Sequence, residues 1–272
     1  MPRPWTNREK KIYFSELYKL YVIQNKTIGE IGKILDISEQ TVFQRLRKLG
    51  IKSRPELKKN YLLKKRTDIK IPKKYSSELA EFFGIMLGDG KLSKYQVVVN
   101  LGIKEMVYAD SIVNLIERIF NARPKIAIRK TGYKDVYLGS LDLTNWLKNE
   151  GLVYNKVLSQ VDAPKWIFKQ KEFMEGFIRG FFDTDGSVYK LRWGMQISFT
   201  NKSLPLLKSI RNMLLYLKYV PSKVSGYKVY ITKKTEVRRF FNEVRPRNIK
   251  HQNRFREFLR RADTEAVKRD WL

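Results

Sequence analysis

One short pattern occurs twice in the chain, at residues 83–90 (FGIMLGDG) and at residues 179–186 (RGFFDTDG). In each copy a glycine and a second small residue lie four positions apart: Gly84 and Gly88, then Gly180 and Thr184. This spacing places both residues on one face of a helix, where a partner helix can approach the backbone closely. The pattern predicts two apolar helices that pack side by side in parallel, each ending in an aspartate.

The two aspartates are the first candidate site residues. If the helices pack together, Asp89 and Asp185 emerge at one point, and two adjacent carboxylates form a site for divalent cations. Gly88 and Thr184, which precede them, complete the candidate metal site. An alternative reading is that Asp-Gly after an apolar helix is an ordinary stop signal, with glycine in a left-handed conformation.

The segments that follow the pattern are repeated as well. Residues 111–116 (SIVNLI) return as 209–214 (SIRNML), and residues 132–138 (GYKDVYL) return as 226–231 (GYKVYI), one residue shorter. An Asn-Glu pair at 149–150 returns at 242–243. Repetition at this length indicates a duplicated structural unit.

The charge of the chain predicts a nucleic-acid partner. Lys and Arg number 56 against 27 Asp and Glu, a formal net charge of +29, and the basic residues are spread along the whole sequence. This distribution favours an extended phosphate-contacting surface, with an affinity that falls steeply with salt. Double-stranded DNA is the partner we expect.

Composition also excludes several kinds of chemistry. The sequence has no cysteine and one histidine, His251, so zinc fingers and cysteine nucleophiles are excluded and a histidine-centred nuclease is disfavoured. The N-terminus lacks an apolar signal core, and no window approaches the length of a membrane span. We expect a cytoplasmic or nucleoid protein with no membrane partner.

The N-terminal segment resembles a helix-turn-helix DNA-binding domain. Helices are predicted at 15–24 and 27–35, followed by a turn at Asp36, where glycine is usual, and by a helix from the N-cap Ser38 to about residue 49. In that motif the outward residues of the last helix read base edges in the major groove. Those residues are Gln40, Gln44, Arg45, Arg47 and Lys48. The alternative is a three-helix packing module with a solvated face.

The rest of the chain divides into a basic linker and two similar halves. We expect a helix-turn-helix domain at 1–54, a linker at 55–71, and repeats at 72–163 and 164–272, the second with a C-terminal helix. Alternation predicts strands at 95–101, 125–129 and 135–138, then at 188–191, 196–200, 223–224 and 228–232. Helices are predicted at 105–120, 144–150, 204–217 and 235–244. The fold class is α+β, each half reading α-β-β-α-β-β-α.

The doubled motif and this order of elements resemble the LAGLIDADG homing endonucleases in their single-chain, two-repeat form, over about residues 72–260. The motif positions are held by Gly84, Asp89 and Gly90, then by Gly180, Asp183, Asp185 and Gly186, with Leu87 in place of the first acidic residue of copy one. The resemblance implies a pseudo-twofold fold with eight strands in antiparallel sheets, forming a saddle over DNA. It further implies Mg²⁺ or another divalent cation, a monomer and an intron-encoded gene. The absence of cysteine favours a free-standing enzyme over an intein-borne one.

Strand alternation assigns the two faces of the sheets. The residues expected inside are Val97, Val99, Ile126, Ile128, Val136, Leu138, Ile197, Phe199, Val229 and Ile231. Those expected to contact DNA are Gln96, Asn100, Lys125, Arg129, Tyr137, Gln196, Ser198, Lys228, Tyr230 and Thr232, with Lys190 and Arg192 near the second motif. A plain solvated sheet face is the alternative for any one of them.

Hydrolysis of a phosphodiester needs an attacking water, charge neutralisation and help for the leaving oxygen, all of which bound magnesium can supply. The resembled family also uses a basic residue from each half. Each half places a lysine shortly after the repeated Asn-Glu pair, namely Lys156 and Lys250, and a positioned cation can stabilise phosphate charge. An unremarkable surface lysine is the alternative at both positions, with Lys190 and Arg192 as the next candidates.

Three functions remain open from the sequence. The first is a site-specific double-strand DNA endonuclease with Asp89, Asp185, Lys156 and Lys250 as catalytic residues. The second is a cleavage-inactive, sequence-specific DNA-binding regulator, against which the presence of both aspartates argues. The third is an RNA-splicing maturase, in which the basic surface would bind RNA.

Overall fold

The computed structural model describes residues 5–51, 68–129, 132–191 and 194–269. The chain forms two compact units, Met1–Lys65 and Arg66–Leu272. Most of the linker predicted at 55–71 lies outside the described residues. Among the described helices, none combines the length and apolar character needed to cross a bilayer.

The first unit is all-helical. Helix α1 (Asn7–Tyr18) continues into a π-helical turn (Lys19–Ile23) and is followed by α2 (Ile28–Ile34) and α3 (Glu39–Lys48). Thr27 and Glu30 form a capping box on α2, and the Ser38 side chain accepts from the Thr41 N–H at the start of α3. Asp36 adopts φ 49°, so it takes the left-handed conformation for which glycine is usual. The predicted helices and turn are therefore present, but the first helix begins at Asn7, earlier than predicted.

The first half of the second unit contains α4 (Ser77–Leu87), β1 (Gly90–Leu92), β2 (Gln96–Gly102), α5 (Met106–Phe120), β3 (Lys125–Ile128), β4 (Tyr133–Gly139) and α6 (Leu141–Asn149). Its four strands are antiparallel in the order β1-β2-β4-β3. This is the order of elements predicted from the sequence.

The second half repeats the order with α7 (Lys171–Asp185), β5 (Gly186–Leu191), β6 (Gly194–Thr200), α8 (Leu204–Tyr216), β7 (Lys228–Ile231) and α9 (Lys234–Glu243), followed by α10 (Ile249–Arg269). The α+β fold with antiparallel sheets is confirmed. The prediction of a strand at 223–224 is wrong, because this sheet has three strands, β5-β6-β7. The Tyr230 N–H bonds to the Ser222 hydroxyl instead of a backbone carbonyl, so a ladder does not continue there.

The inward face of each sheet packs on the helices, largely as alternation predicts. Val97, Val99, Val136 and Leu138 are buried, as are Ile197, Phe199, Val229 and Ile231. Ile126 and Ile128 were expected inside, yet they are 41% and 68% exposed. They lie on β3, which is an edge strand of the sheet.

Candidate active site

Helices α4 and α7 are in parallel contact through glycines, as the repeated pattern predicts. A Cβ at Gly84 would lie 2.2 Å from the Phe177 carbonyl oxygen, and a Cβ at Gly180 would lie 2.0 Å from that of Glu81. Gly176, which the sequence analysis missed, lies against the Ser77 carbonyl oxygen in the same way. Only glycine allows two helix backbones to approach this closely, so these positions fix how the helices align at their ends.

The two aspartates meet where these helices end. At Gly88 an added Cβ would lie 2.8 Å from Thr184 Cβ and 3.6 Å from the carboxyl carbon of Asp185. Asp89, the next residue, is exposed, whereas Asp185 is half-buried and accepts from Asn201 Nδ2 at 2.8 Å. The structure thus brings Asp89 and Asp185 to one corner of the unit.

Burial and neighbouring negative charges raise the pKa of both aspartates. Desolvation raises the pKa of Asp185 to about 6, and the negative charge of Asp89 adds to the shift. The pKa of Asp89 is also raised, mainly because the surrounding protein displaces part of its hydration, although its side chain keeps solvent access. A positive charge between the two carboxylates would favour their ionised forms and lower both pKa values, which is the electrostatic property of a cation site.

Lys156 lies at the same corner. Its Nζ donates to the Met86 carbonyl oxygen at 3.1 Å and to that of Gly88, at the C-terminal end of α4. Burial lowers the pKa of Lys156, while the charges of Asp185 and Asp89 oppose that shift. One lone pair of the Gly88 carbonyl, a predicted metal ligand, is therefore engaged by a lysine.

Lys250 is near Asp89 but is paired elsewhere. Its Nζ lies 3.3 Å from Glu105 Oε1, and its charge offsets part of the rise in the pKa of Asp89. Glu105 also accepts from Asn248 Nδ2 at 2.9 Å and from the Gly102 N–H at 2.9 Å. Local sequence patterns assign no role to Glu105, because it contacts Lys250 only after folding joins residues 145 positions apart.

The donor set fits a divalent cation. Within the described ranges there is no cluster of three or more His, Cys, Asp or Glu side chains placed to bind a metal. The candidate ligands are the Asp89 and Asp185 carboxylates and the remaining lone pairs of nearby backbone carbonyls. The Thr184 hydroxyl donates to the Gly180 and Phe181 carbonyl oxygens, which leaves its oxygen lone pairs and the backbone carbonyl of Thr184 as possible ligand atoms. Mg²⁺ commonly binds through one or two carboxylates, completing its shell with water and substrate phosphate oxygens.

Asp183, at the position where copy one has Leu87, does not reach this corner. It is buried and accepts from the backbone N–H groups of Arg247 and Asn248 at 2.9 and 3.0 Å. Desolvation raises the pKa of Asp183 to about 7. Its role is to hold the start of α10.

The outward sheet faces carry most of the predicted DNA contacts. In the first sheet, strand register places Asn100, Lys125, Arg129 and Tyr137 on one face together with the exposed Gln96. In the second, Gln196, Lys228 and Tyr230 share the outward face with Tyr189, which the prediction omitted, and the exposed Thr232 follows β7.

Two of the predicted DNA contacts do not present an accessible side chain on the outward face, and a third is not tested. Ser198 is on the outward face but fully buried, so it cannot contact DNA in this arrangement. Lys190 pairs with the buried Met195 and lies on the opposite side of its sheet, beside α10. Arg192 lies outside the described residues.

In the first unit, the predicted reading residues divide into two groups. Gln40, Gln44 and Arg47 are exposed on α3. The Arg45 guanidinium lies 4.8 Å from the Tyr13 ring centroid, and Lys48 Nζ lies 4.3 Å from that of Trp5. Arg45 and Lys48 are thus engaged by aromatic rings near and within α1, a contact that helical periodicity in α3 alone could not reveal.

Comparison with known proteins bears on the second copy of the motif. Residues 172–245 match the family model of the LAGLIDADG-like domain. A segment of 117 residues is 29% identical to the replication factor C small subunit of Methanocaldococcus jannaschii. That alignment covers 43% of this chain and spans only 6% of the relative's length.

Solved structures with a similar arrangement include variants of the homing endonuclease I-DmoI, at 17% identity and a TM-score of 0.43, covering 62% of this chain and 94% of theirs. The N-terminal LAGLIDADG domain of WhiA has 16% identity and a TM-score of 0.44, covering 64% and 86%. The homing endonuclease I-WcaI bound to its DNA recognition sequence has 14% identity and a TM-score of 0.46, covering 73% and 91%. Likeness at this level says nothing about the activity of this chain.

Proposed function

We propose that this protein is a divalent-metal-dependent endonuclease that cleaves double-stranded DNA at specific sites. The observation that carries the proposal is the meeting of Asp89 and Asp185 at the ends of two parallel helices, with Lys156 bonded to the same helix end. The net charge of +29 supports a polyanionic substrate. The match of residues 172–245 to the LAGLIDADG-like domain supports the same class of protein.

Asp89 and Asp185 would hold the metal, with Mg²⁺ as the first candidate. When bound, a divalent cation neutralises charge at the scissile phosphate and lowers the pKa of its water. The two aspartates orient the site, because their backbones are fixed by the glycine contacts between α4 and α7. Lys156, held at the end of α4, is placed to stabilise negative charge on the phosphate. Lys250 would act from the Asp89 side, with Glu105 fixing its position.

The outward sheet faces would lie against DNA, and the first unit would add contacts through α3. The exposed residues Gln40, Gln44 and Arg47 are the side-chain types that read adenine and guanine edges in the major groove. A second binding module on the same chain raises the affinity for a site that both modules can reach. The recognised DNA site would therefore be longer than the sheets alone can cover.

The test is incubation of a randomised duplex DNA library with the parent protein and Mg²⁺, followed by sequencing of the new ends. Asp89→Asn and Asp185→Asn should bind the selected DNA and fail to cut it, whereas Asp110→Asn, the same charge change at an exposed residue of α5, should cut normally. If the parent binds a specific sequence without cutting it under any divalent cation, the protein is a DNA-binding regulator. Selective binding of RNA over DNA would favour the maturase.

A further inference from the structure

Three strands of the first sheet are joined by one carboxylate on the outward face. Asp135 on β4 accepts from Asn100 Nδ2 on β2 through Oδ1 and from Arg129 Nε, just after β3, through Oδ2, both at 2.5 Å. Asn100 and Asp135 are direct partners in the β2–β4 ladder. Two predicted DNA contacts are therefore linked by an acidic residue to which the sequence analysis gave no role.

The Asp135 and Arg129 side chains differ in how far they are exposed to solvent. The Asp135 side chain is 12% exposed, and each carboxylate oxygen already has a donor, whereas the Arg129 side chain is 55% exposed. Within the described residues, the Nη groups of Arg129 have no hydrogen-bond partner. Asp135 thus holds the guanidinium by its inner nitrogen and leaves the outer two nitrogens for a ligand.

The sheet itself does not require an acid at this position. In the second sheet the corresponding pair is Thr200 with Lys228, and Lys228 Nζ lies 5.9 Å from the ring centroid of Tyr189. The same backbone position therefore accepts a basic residue in the other half. A buried acid on a face proposed to contact DNA phosphates weakens nonspecific binding to DNA. The presence of Asp135 there therefore needs an explanation beyond folding.

We propose that Asp135 is a positioning residue for base recognition, holding Arg129 to read a guanine and Asn100 to read a neighbouring base. The inference rests on the proposed binding of double-stranded DNA. Arginine recognises the O6 and N7 atoms of guanine through two N–H donors in the major groove, and the Nη groups left open by Asp135 can supply that pair. Asparagine keeps its amide oxygen and one N–H, which together match the N6 and N7 edge of adenine.

The experiment selects bound duplexes from a randomised library in EDTA, so that cleavage plays no part. The parent, Asp135→Asn, Arg129→Lys and the matched control Asp110→Asn are compared, with circular dichroism confirming folding. We expect the parent sequence preference to include a G·C position that weakens about tenfold in both Asp135→Asn and Arg129→Lys. Asp135→Asn should also bind nonspecific DNA more tightly, while Arg129→Lys keeps its charge and loses only the two-pronged contact.

A general gain in affinity for all sequences, with unchanged base preferences in Asp135→Asn, would show that Asp135 is only a surface charge. If Asp135→Asn does not fold, retained G·C preference in Arg129→Lys overturns the inference by itself. Should the parent enrich no sequence at all, specific DNA binding fails and this inference fails with it. If the parent and every variant enrich the same motif, specific DNA binding stands and only the positioning role of Asp135 fails.

Discussion

The contact between α4 and α7 can be tested with Gly180→Ala. The added Cβ would lie 2.0 Å from the Glu81 carbonyl oxygen and 3.0 Å from the Ile85 nitrogen. Because both neighbours are backbone atoms, no rotamer change can relieve the clash. Ordinary contact starts at 3.4 Å, so the helices must separate locally by about 1.4 Å, the difference between that value and the 2.0 Å approach.

Two effects of this substitution oppose each other. Alanine is favoured over glycine in a helix interior by about 1 kcal/mol. Overpacking typically costs about 1–3 kcal/mol. The cost at Gly180 should be at or above the upper end of that range, because the added Cβ meets backbone atoms of α4, which cannot move aside as a side chain can. Glu81 adds to the cost, since it is buried and bonded to Arg179 and Arg247 at 3.0 and 2.8 Å, and those ion pairs move with α4. We expect a net loss of about 2 kcal/mol in the free energy of unfolding of the second unit.

Urea unfolding followed by tryptophan fluorescence measures this loss. Trp166 is a suitable reporter because it is buried with its ring against Phe83 of α4 and Phe173 of α7. The matched control is Gly139→Ala, whose Cβ would meet only the Tyr95 carbonyl oxygen at 3.6 Å, and which should change stability by less than about 0.5 kcal/mol. An unchanged or higher unfolding free energy in Gly180→Ala would refute the backbone contact, and with it the reason for the two aspartates to meet.

Three further outcomes follow from the site and its surroundings. In metal-free buffer above pH 6, Asp185→Asn should raise the unfolding free energy, because it removes a partly desolvated charge beside Asp89. Mg²⁺ should stabilise the parent more than the variant, and thermal unfolding with and without Mg²⁺ checks both outcomes. Burial lowers the pKa of His251 to about 4 from 6.5, so the unfolded state binds the extra proton and stability should fall by up to about 3 kcal/mol as pH drops from 6.5 towards 4. Comparison with His251→Leu, which cannot titrate there, isolates this effect from the carboxylates. Finally, Arg47→Ala should weaken binding to duplex DNA more than Arg45→Ala, which should instead lower the melting temperature of the first unit because Arg45 packs on Tyr13; fluorescence anisotropy and calorimetry separate the two.

Local patterns predicted the centre of this fold well. The pairing of α4 with α7 follows from glycine spacing within each motif, and the burial of Val97, Val99, Ile197 and Phe199 follows from alternation. Both signals lie within a few residues of the element they describe. The exposed Ile126 and Ile128 show the limit, because alternation gives the face of a strand but not whether the strand is at an edge.

Contacts between distant residues could not be read from the sequence. The Asp185–Asn201 bond depends on the register of the β5–β6 hairpin, and the Glu105–Lys250 pair joins the two halves. Its nearness to the motif predicts Lys190 on the DNA face, whereas the strand register places it opposite Met195 on the other side of the sheet. Competition between side-chain and backbone acceptors could not be read from the sequence either. The Tyr230 N–H donates to the Ser222 hydroxyl, and not to a backbone carbonyl, at the position where an eighth strand is predicted.

The two halves bring a lysine towards the aspartate pair by different physical routes. In the first, Lys156 bonds directly to the carbonyl groups at the end of α4, where Leu87 is a fully buried apolar residue. In the second, Asp183 takes the place of Leu87 and binds the backbone N–H groups of Arg247 and Asn248, which fixes the chain just before Lys250. A duplicated scaffold alone would reproduce one arrangement twice. Two unlike arrangements that both end in a lysine near Asp89 are better explained by a need for positive charge beside the two carboxylates than by packing, and the proposed contact with a substrate phosphate would add to that need.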